Sequence, residues 1–284
     1  MKRNAIIISA GTSSRFVPLS YEIPKGLLEV KGEILIERQI RQLNEAGIKD
    51  ITIVVGYMAE KFTYLCEKYG VQLVINEDYL RYNNTSSVIR VLSRISNTYI
   101  CCSDQYYKYN PFLQELRTSA YAALYADGKT NEYCLTTDVD GYIKEVKVGG
   151  ENEWYMAGFA YFCEAFSREF RKIMVDAYAK EETRQMYWED VYIKHIHALP
   201  PMRIIKFENN TLCEFDSIDE LRVFDTTYIE DTRSEIVKEI CRLLQCKDNE
   251  LGDFKRVDKK QGHIFTFVYN NFTYLYANGN IERC

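Results

Sequence analysis

The sequence has no run approaching the roughly 20 consecutive apolar residues that a membrane-spanning helix requires, and it enters a strand-like run directly, without a basic and apolar leader. A cytoplasmic protein with no membrane partner is therefore expected. None of its nine cysteines forms a CxxC pair; the number is odd and Cys101 and Cys102 are adjacent, so reduced core fillers are expected in place of a disulfide framework. The net charge of −5 mixes both signs along the chain and leaves no basic stripe for nucleic acid. Three histidines give imidazole chemistry little to draw on. Internal repeats and low-complexity segments are absent. What remains is a chain of 284 residues, 46% hydrophobic, with ample core for one large domain or a domain with an appendage and with a small molecule as its expected ligand.

Over the first hundred residues strand and helix patterns alternate. Residues 4–8 read as a buried strand. Ile36, Ile40 and Leu43 then recur at helical spacing up to Gly47. Residues 51–55 form a β-branched run, 58–69 a helix, 71–75 a strand, 88–95 a helix and 98–102 a fourth strand. Repeated βα units predict a mostly parallel, doubly wound Rossmann-like sheet covered by helices on both faces. Ligands bind such sheets beyond the carboxyl ends of the strands, which singles out the loop after residue 9 and Ser103-Asp104. From residue 118 the pattern becomes an antiparallel extension. Strands are expected at 119–126 and 142–148, with Asp140-Gly141 as a turn, and helices at 164–180 and 184–198. Residues 202–215 are read as a hairpin around Asn209-Asn210, followed by a helix capped by Ser217 and ending near Phe224.

The opening loop carries the chemistry. Gly11 with the small residues Thr12, Ser13 and Ser14 lets backbone N–H groups approach an anion where the strand ends. The loop is neither a Walker loop, since no Gly-Lys-Ser/Thr follows, nor a dinucleotide fingerprint. Two cations sharpen it. Arg15 can fork onto phosphate oxygens, and Lys25, fixed behind Pro24, can act as a point charge on a second phosphate.

The run Ala10-Gly11-x-x-Ser14-Arg15-x-x-Pro18-Leu19 followed by Pro24-Lys25 resembles the signature of nucleotidyltransferases that make nucleotide-activated sugars and alcohols. Within them it is most similar to bacterial CTP:phosphocholine cytidylyltransferases. The resemblance extends to about residue 225 through Asn76-x-x-Tyr79-x-x-x-Asn83-Asn84, Ser103-Asp104, Thr130-Asn131-Glu132-Tyr133, Tyr187-Trp188-Glu189 and Glu214-Phe215-Asp216-Ser217. Ser13 stands where the family usually has a second glycine. The resemblance implies CTP and phosphocholine as substrates, CDP-choline and pyrophosphate as products, and Mg²⁺ as cofactor. Lys25 and Arg15 are implied as the catalytic cations. Ala10, Gly11, Thr12, Ser13, Ser14, Tyr79, Asn84, Ser86 and Asp104 join them as nucleotide-binding residues, and Asp104 and Asp216 match the family's metal positions. Asp216-Ser217 also reads as a helix cap.

A quaternary ammonium cannot donate hydrogen bonds and is held by ring faces beside a carboxylate. Tyr133 and Trp188 are the ring candidates on the family pattern, with Glu189, Asp190 and Glu214 as charge partners. Other acceptors, a sugar 1-phosphate or 2-aminoethylphosphonate, stay open, as do a nucleotide-binding protein without turnover and a homodimer. His195-x-His197 is solvated surface, since residues two apart on a helix do not share a face. The chain is expected to divide into a nucleotidyltransferase domain, 1–228, and a small element, 229–284. In the latter, Thr232 is expected to cap a helix with Ile236, Ile240 and Leu244 on one face, before a hairpin around Asn270-Asn271. Helix followed by hairpin resembles the start of the small lobe of choline kinase-like proteins, but the chain ends before a catalytic kinase loop; a packing or dimerisation element is the alternative.

Overall fold

The computed structural model describes residues 2–257 and 262–284. In chain order the elements begin β1 (Asn4–Ser9), β2 (Glu29–Val30), β3 (Glu33–Ile34), α1 (Leu35–Glu45), β4 (Asp50–Val55), α2 (Tyr64–Tyr69), β5 (Gln72–Ile75), α3 (Thr85–Arg90) and β6 (Thr98–Cys102). They continue β7 (Gln105–Tyr107), β8 (Ala120–Tyr125), β9 (Lys129–Thr137), β10 (Ile143–Glu151), β11 (Trp154–Phe162), α4 (Glu164–Tyr178), α5 (Glu181–Arg184), α6 (Trp188–Lys194), β12 (Arg203–Lys206) and β13 (Leu212–Glu214). The last are α7 (Ile218–Phe224), α8 (Thr227–Glu230), α9 (Glu235–Leu244), β14 (Leu251–Arg256), β15 (Ile264–Tyr269), β16 (Phe272–Ala277) and β17 (Asn280–Arg283). The chain forms two compact units. One is the chain up to Gly11 with Ile36–Glu214; the other is Thr12–Leu35 with Phe215–Cys284. The expected boundary at 228/229 falls inside the second.

In the first unit, β1 lies between β4 and β6, parallel to both, with Ile6 opposite Thr52 on one side and Ile100 on the other. A strand paired on both edges and covered on both faces has no solvent side, which is why its run is continuously apolar and Ala5, Ile6 and Ile7 are fully buried. The nine-stranded sheet runs β10-β9-β11-β6-β1-β4-β5, with β8 on β11 and β12 on β8. Strand β11 was not foreseen. It turns the sheet antiparallel by pairing with β6, and Gly158, in the left-handed region, marks a bulge there; a Cβ at that position would collide with Leu212. Phe166, Phe170 and Met174, spaced one turn apart on α4, pack into a core with Phe162, Trp188 and Tyr192.

Two expectations for this unit are corrected. Residues 202–215 are not a hairpin: β12 joins β8 in parallel and β13 joins β7 antiparallel, each strand finding an edge already built. The helix expected over 184–198 is broken. Tyr187 is extended, its backbone N–H donates to the Asp190 carboxylate at 2.9 Å, and α6 starts after it.

The second unit is built from segments far apart in sequence. Ser217 caps α7, accepting from the Glu220 N–H at 3.2 Å. Helix α9 is capped by Ser234, not by Thr232, whose hydroxyl and N–H both donate to Asp248 at 2.8 Å. Strands β14–β17 form an antiparallel meander. Asn270 and Asn271 both take left-handed conformations, the geometry of a two-residue hairpin turn, as expected. Ile236, Val237 and Ile240 of α9 are buried, as are Phe254, Phe265, Phe267 and Tyr276 of the meander.

Candidate active site

In the second unit the small-residue loop leads to a charge cluster. Ser13 is left-handed (φ 49°), and its carbonyl accepts from the Phe16 N–H at 2.8 Å, closing a tight turn that leaves the Arg15 side chain exposed. One guanidinium nitrogen of Arg15 lies 2.8 Å from Asp216 Oδ2, and Lys25 Nζ lies 3.7 Å from Oδ1 of the same carboxylate. Lys25 is only 6% exposed, with its ammonium 5.9 Å from the centre of the Phe16 ring. A lysine so placed is positioned by packing and offers its charge without a flexible stem. Asp216 is not the cap of α7; that role is Ser217's, and the Asp216 carboxylate faces the two cations. The three charged residues expected from the sequence thus meet within one unit.

In the first unit, the ends of β1 and β6 are tied by the Ser103 hydroxyl donating to Ser9 Oγ at 2.7 Å, and the half-buried Asp104 follows directly. Tyr79 packs against Gly56 so closely that a Cβ there would meet its ring, and Ala10 accepts from the Tyr57 N–H at 3.1 Å. Asn84 accepts from the Trp188 N–H at 2.7 Å. Ser86 is fully buried, its hydroxyl donating to the Asn83 carbonyl at 2.7 Å and accepting from Asn76 at 2.8 Å, so it braces the 76–87 segment.

The residues expected to hold an acceptor also separate. Trp188 is 2% exposed in the core, stacked with Tyr121 at 5.9 Å and packed near-perpendicular to Phe162 and Phe170, so its ring is surrounded by other side chains. Tyr133 donates to Asp190 Oδ1 at 2.8 Å. Burial and that carboxylate push its hydroxyl well up from the ordinary value. Glu189 accepts from the Tyr121 hydroxyl at 3.2 Å, and its second oxygen is buried. Burial raises this carboxyl to about 7. Gln105 donates to Glu214; burial, with the charges of Asp104 and Glu214, holds the Cys102 thiol and Tyr107 hydroxyl far above their usual range, and Glu189 adds to the effect on Cys102. A cluster of carboxylates and tyrosine hydroxyls at the end of β6 suits a cation. Tyr121 was missed; its strand alternation gives no sign that its hydroxyl reaches Glu189.

The fold and the cation cluster define an enzyme that handles nucleoside triphosphates. Residues 5–140 match the MobA-like NTP transferase domain, and the chain belongs to the nucleotidyltransferase family. It is 34% identical to choline-phosphate cytidylyltransferase of Streptococcus pneumoniae over 218 residues, 77% of this chain and 95% of that protein. Against 2-aminoethylphosphonate cytidylyltransferase of Lancefieldella rimae the identity is 35% over 232 residues, 80% and 94% of the two chains. The solved structure of the Streptococcus pneumoniae CTP:phosphocholine cytidylyltransferase superposes with a TM-score of 0.77 at 33% identity, covering 80% of this chain and 99% of that one. The fold expectation is borne out. No helix among the described residues is long and apolar enough to cross a membrane.

Proposed function

We propose that the protein transfers the cytidylyl group of CTP to phosphocholine, giving CDP-choline and pyrophosphate, in the cytoplasm. The observation that carries this reading is the convergence of Arg15 and buried Lys25 on Asp216 beside a small-residue loop. A phosphate monoester has its second pKa at about 6, so the nucleophilic oxygen is ionised at neutral pH and needs no general base. That oxygen forms a bond to the α-phosphorus while the bond from the α-phosphorus to the bridging oxygen breaks, and pyrophosphate leaves with the electron pair. The chain's task is positioning and countercharge. Lys25 stabilises charge developing on the phosphates and Arg15 grips their oxygens; the backbone of residues 10–14 lines the same anion, with Tyr79 and Asn84 toward the nucleoside.

Nucleotidyltransferases of this family generally use a divalent metal. Mg²⁺ is commonly bound by one or two carboxylates together with substrate phosphates. Asp216, already set among the phosphate cations, and Asp104 are the carboxylates proposed to hold it. When bound it supplies Lewis-acid countercharge to the triphosphate.

Tyr133, Glu189, Asp190 and Glu214 are proposed to receive the cationic end of the acceptor. The enclosed ring of Trp188 favours a second reading, 2-aminoethylphosphonate, because hydroxyls and carboxylates suit an ammonium that donates hydrogen bonds. The 218 residues matched by the pneumococcal relative, against 284 here, support residues 1–228 as the catalytic domain and 229–284 as an addition. Pyrophosphate release from CTP with phosphocholine, 2-aminoethylphosphonate and glucose 1-phosphate tests the reading: phosphocholine is expected to be turned over with the highest kcat/KM, preference for the phosphonate selects the second reading, and release with none of the three overturns both.

A further inference from the structure

Residues 12–35, which carry Arg15 and Lys25, are held by residues from the far end of the chain. The Glu22 carboxylate sits on the first turn of α9: Oε2 accepts from the Glu235 N–H at 2.8 Å, and Oε1 accepts from the Ile236 N–H at 3.2 Å and from the Ser234 hydroxyl. Ser234 in turn accepts from the Val237 N–H at 3.1 Å. The opening N–H groups of a helix have no partner within it, and a carboxylate there also meets the positive end of the helix dipole. Beside it, Tyr21 donates to the Ile264 carbonyl at 3.0 Å and stacks on His263 with ring centres 4.7 Å apart. The Lys31 N–H donates to the buried Asp225 at 2.7 Å, and the Tyr228 hydroxyl donates to the Glu29 carbonyl at 2.7 Å.

Glu22 lies three positions before Lys25, and the short turns between them are hydrogen-bonded: the Ile23 N–H donates to Leu19 at 2.9 Å and the Leu28 N–H to Lys25 at 3.1 Å. A displacement at Glu22 therefore reaches the lysine with little slack. We propose that the C-terminal helix and meander are a clamp on the phosphate loop, with Glu22 as the positioning residue that fixes where Lys25 and Arg15 present their charge. The pneumococcal relative is matched over 95% of its length by 218 residues, 77% of this chain, so roughly a quarter of this chain has no counterpart in that match. The effect on catalysis rests on the assignment of Lys25 and Arg15 to CTP; the mechanical part does not.

The test uses the full chain and two readouts, hydrogen exchange over residues 12–28 without substrate and steady-state kinetics. Glu22→Ala is expected to accelerate exchange over 12–28 and to raise the CTP KM about tenfold while the acceptor KM moves less than about twofold, since a small misplacement of a positioning group is costly. Glu22→Gln keeps an oxygen that accepts backbone N–H groups and is expected to restore most of the exchange protection. As control, Asn249→Ala removes a 3.1 Å bond to Glu230 within the same unit; it is expected to leave both readouts at wild-type values. Should Glu22→Ala fail to fold, Ser234→Ala removes one of the three donors together with the cap of α9 and is expected to give the same pattern at about threefold in CTP KM. Wild-type exchange over 12–28 in the Glu22 and Ser234 variants, or equal CTP KM changes in these and Asn249→Ala, overturns the clamp. Exchange needs no turnover, so a protein inactive with every acceptor would fail the function while the exchange result still decides the clamp.

Discussion

Lys25 and Glu189 are both ionisable groups with little access to water, and they differ in what they face. Lys25 has the Asp216 carboxylate at 3.7 Å, shared with Arg15. Glu189 has neutral partners, the Tyr121 hydroxyl and the Asn84 side chain, and the like charge of Asp190 nearby, so burial drives it up to about 7. The first region is a cluster in which one carboxylate faces two cations, leaving an excess of positive charge. The second is an unmatched carboxylate in an acidic neighbourhood, where a cation brings back what desolvation takes away. A buried charge reports what it is built to meet: an anion where cations already hold one, and a cation where a carboxylate has none.

The largest expected effect tests whether Trp188 belongs to that second region at all. Trp188→Ala is expected to cost about 3–5 kcal/mol of stability in urea unfolding, as for other large core aromatics. A variant as stable as wild type with a selectively raised phosphocholine KM would return the ring to the acceptor. Glu189 comes next. Its folded-state pKa, about 7, lies above the ordinary carboxyl value of 4.5, so its protonated form stabilises the fold fully below pH 4.5 and that contribution is lost as pH rises through 7. The difference between wild type and Glu189→Gln should change by about 3 kcal/mol between pH 4 and 8 without ligand, read by denaturation at several pH values. A constant difference would mean Glu189 is not buried as described.

Lys25→Ala sharpens the other side. Removing a preorganised cation is expected to lower kcat about a hundredfold with saturating CTP and acceptor, roughly 2.7 kcal/mol of transition-state stabilisation; turnover at the wild-type rate would separate the cluster from catalysis. The smallest effect is Ser217→Ala, which removes the cap of α7 and is expected to cost about 1 kcal/mol in thermal unfolding. A loss near zero would hand the cap to Asp216 and detach that carboxylate from the phosphate cations.

The same contrast decides what could be read in advance. Arg15 and Lys25 drew attention as cations beside a small-residue loop, and Asp216 only through the family resemblance; that the three side chains meet was not readable from their spacing. The place of Trp188 was not legible either, because an aromatic side chain is satisfied equally by a ligand or by Tyr121, Phe162 and Phe170, and sequence spacing does not distinguish the two. The βα units were legible from β-branched runs such as Ile51–Ile53–Val55, whose burial on both faces leaves no polar alternation. Strands β12 and β13 were misread because alternation gives a strand but not its partner. Thr232 and Ser234 are equally good caps by type; Asp248 takes the first and Glu22, 212 positions earlier, helps fix the second.

The association of Thr12–Leu35 with Phe215–Cys284 also sets an order of events during synthesis. Thr12–Leu35, which carries Arg15 and Lys25, is synthesised well before Phe215–Cys284, the stretch it packs with. Domains form vectorially as the chain emerges, and contacts this distant in sequence close slowly. A nascent chain halted before α9 therefore carries Arg15 and Lys25 on a segment still without the α9 groups that hold Glu22.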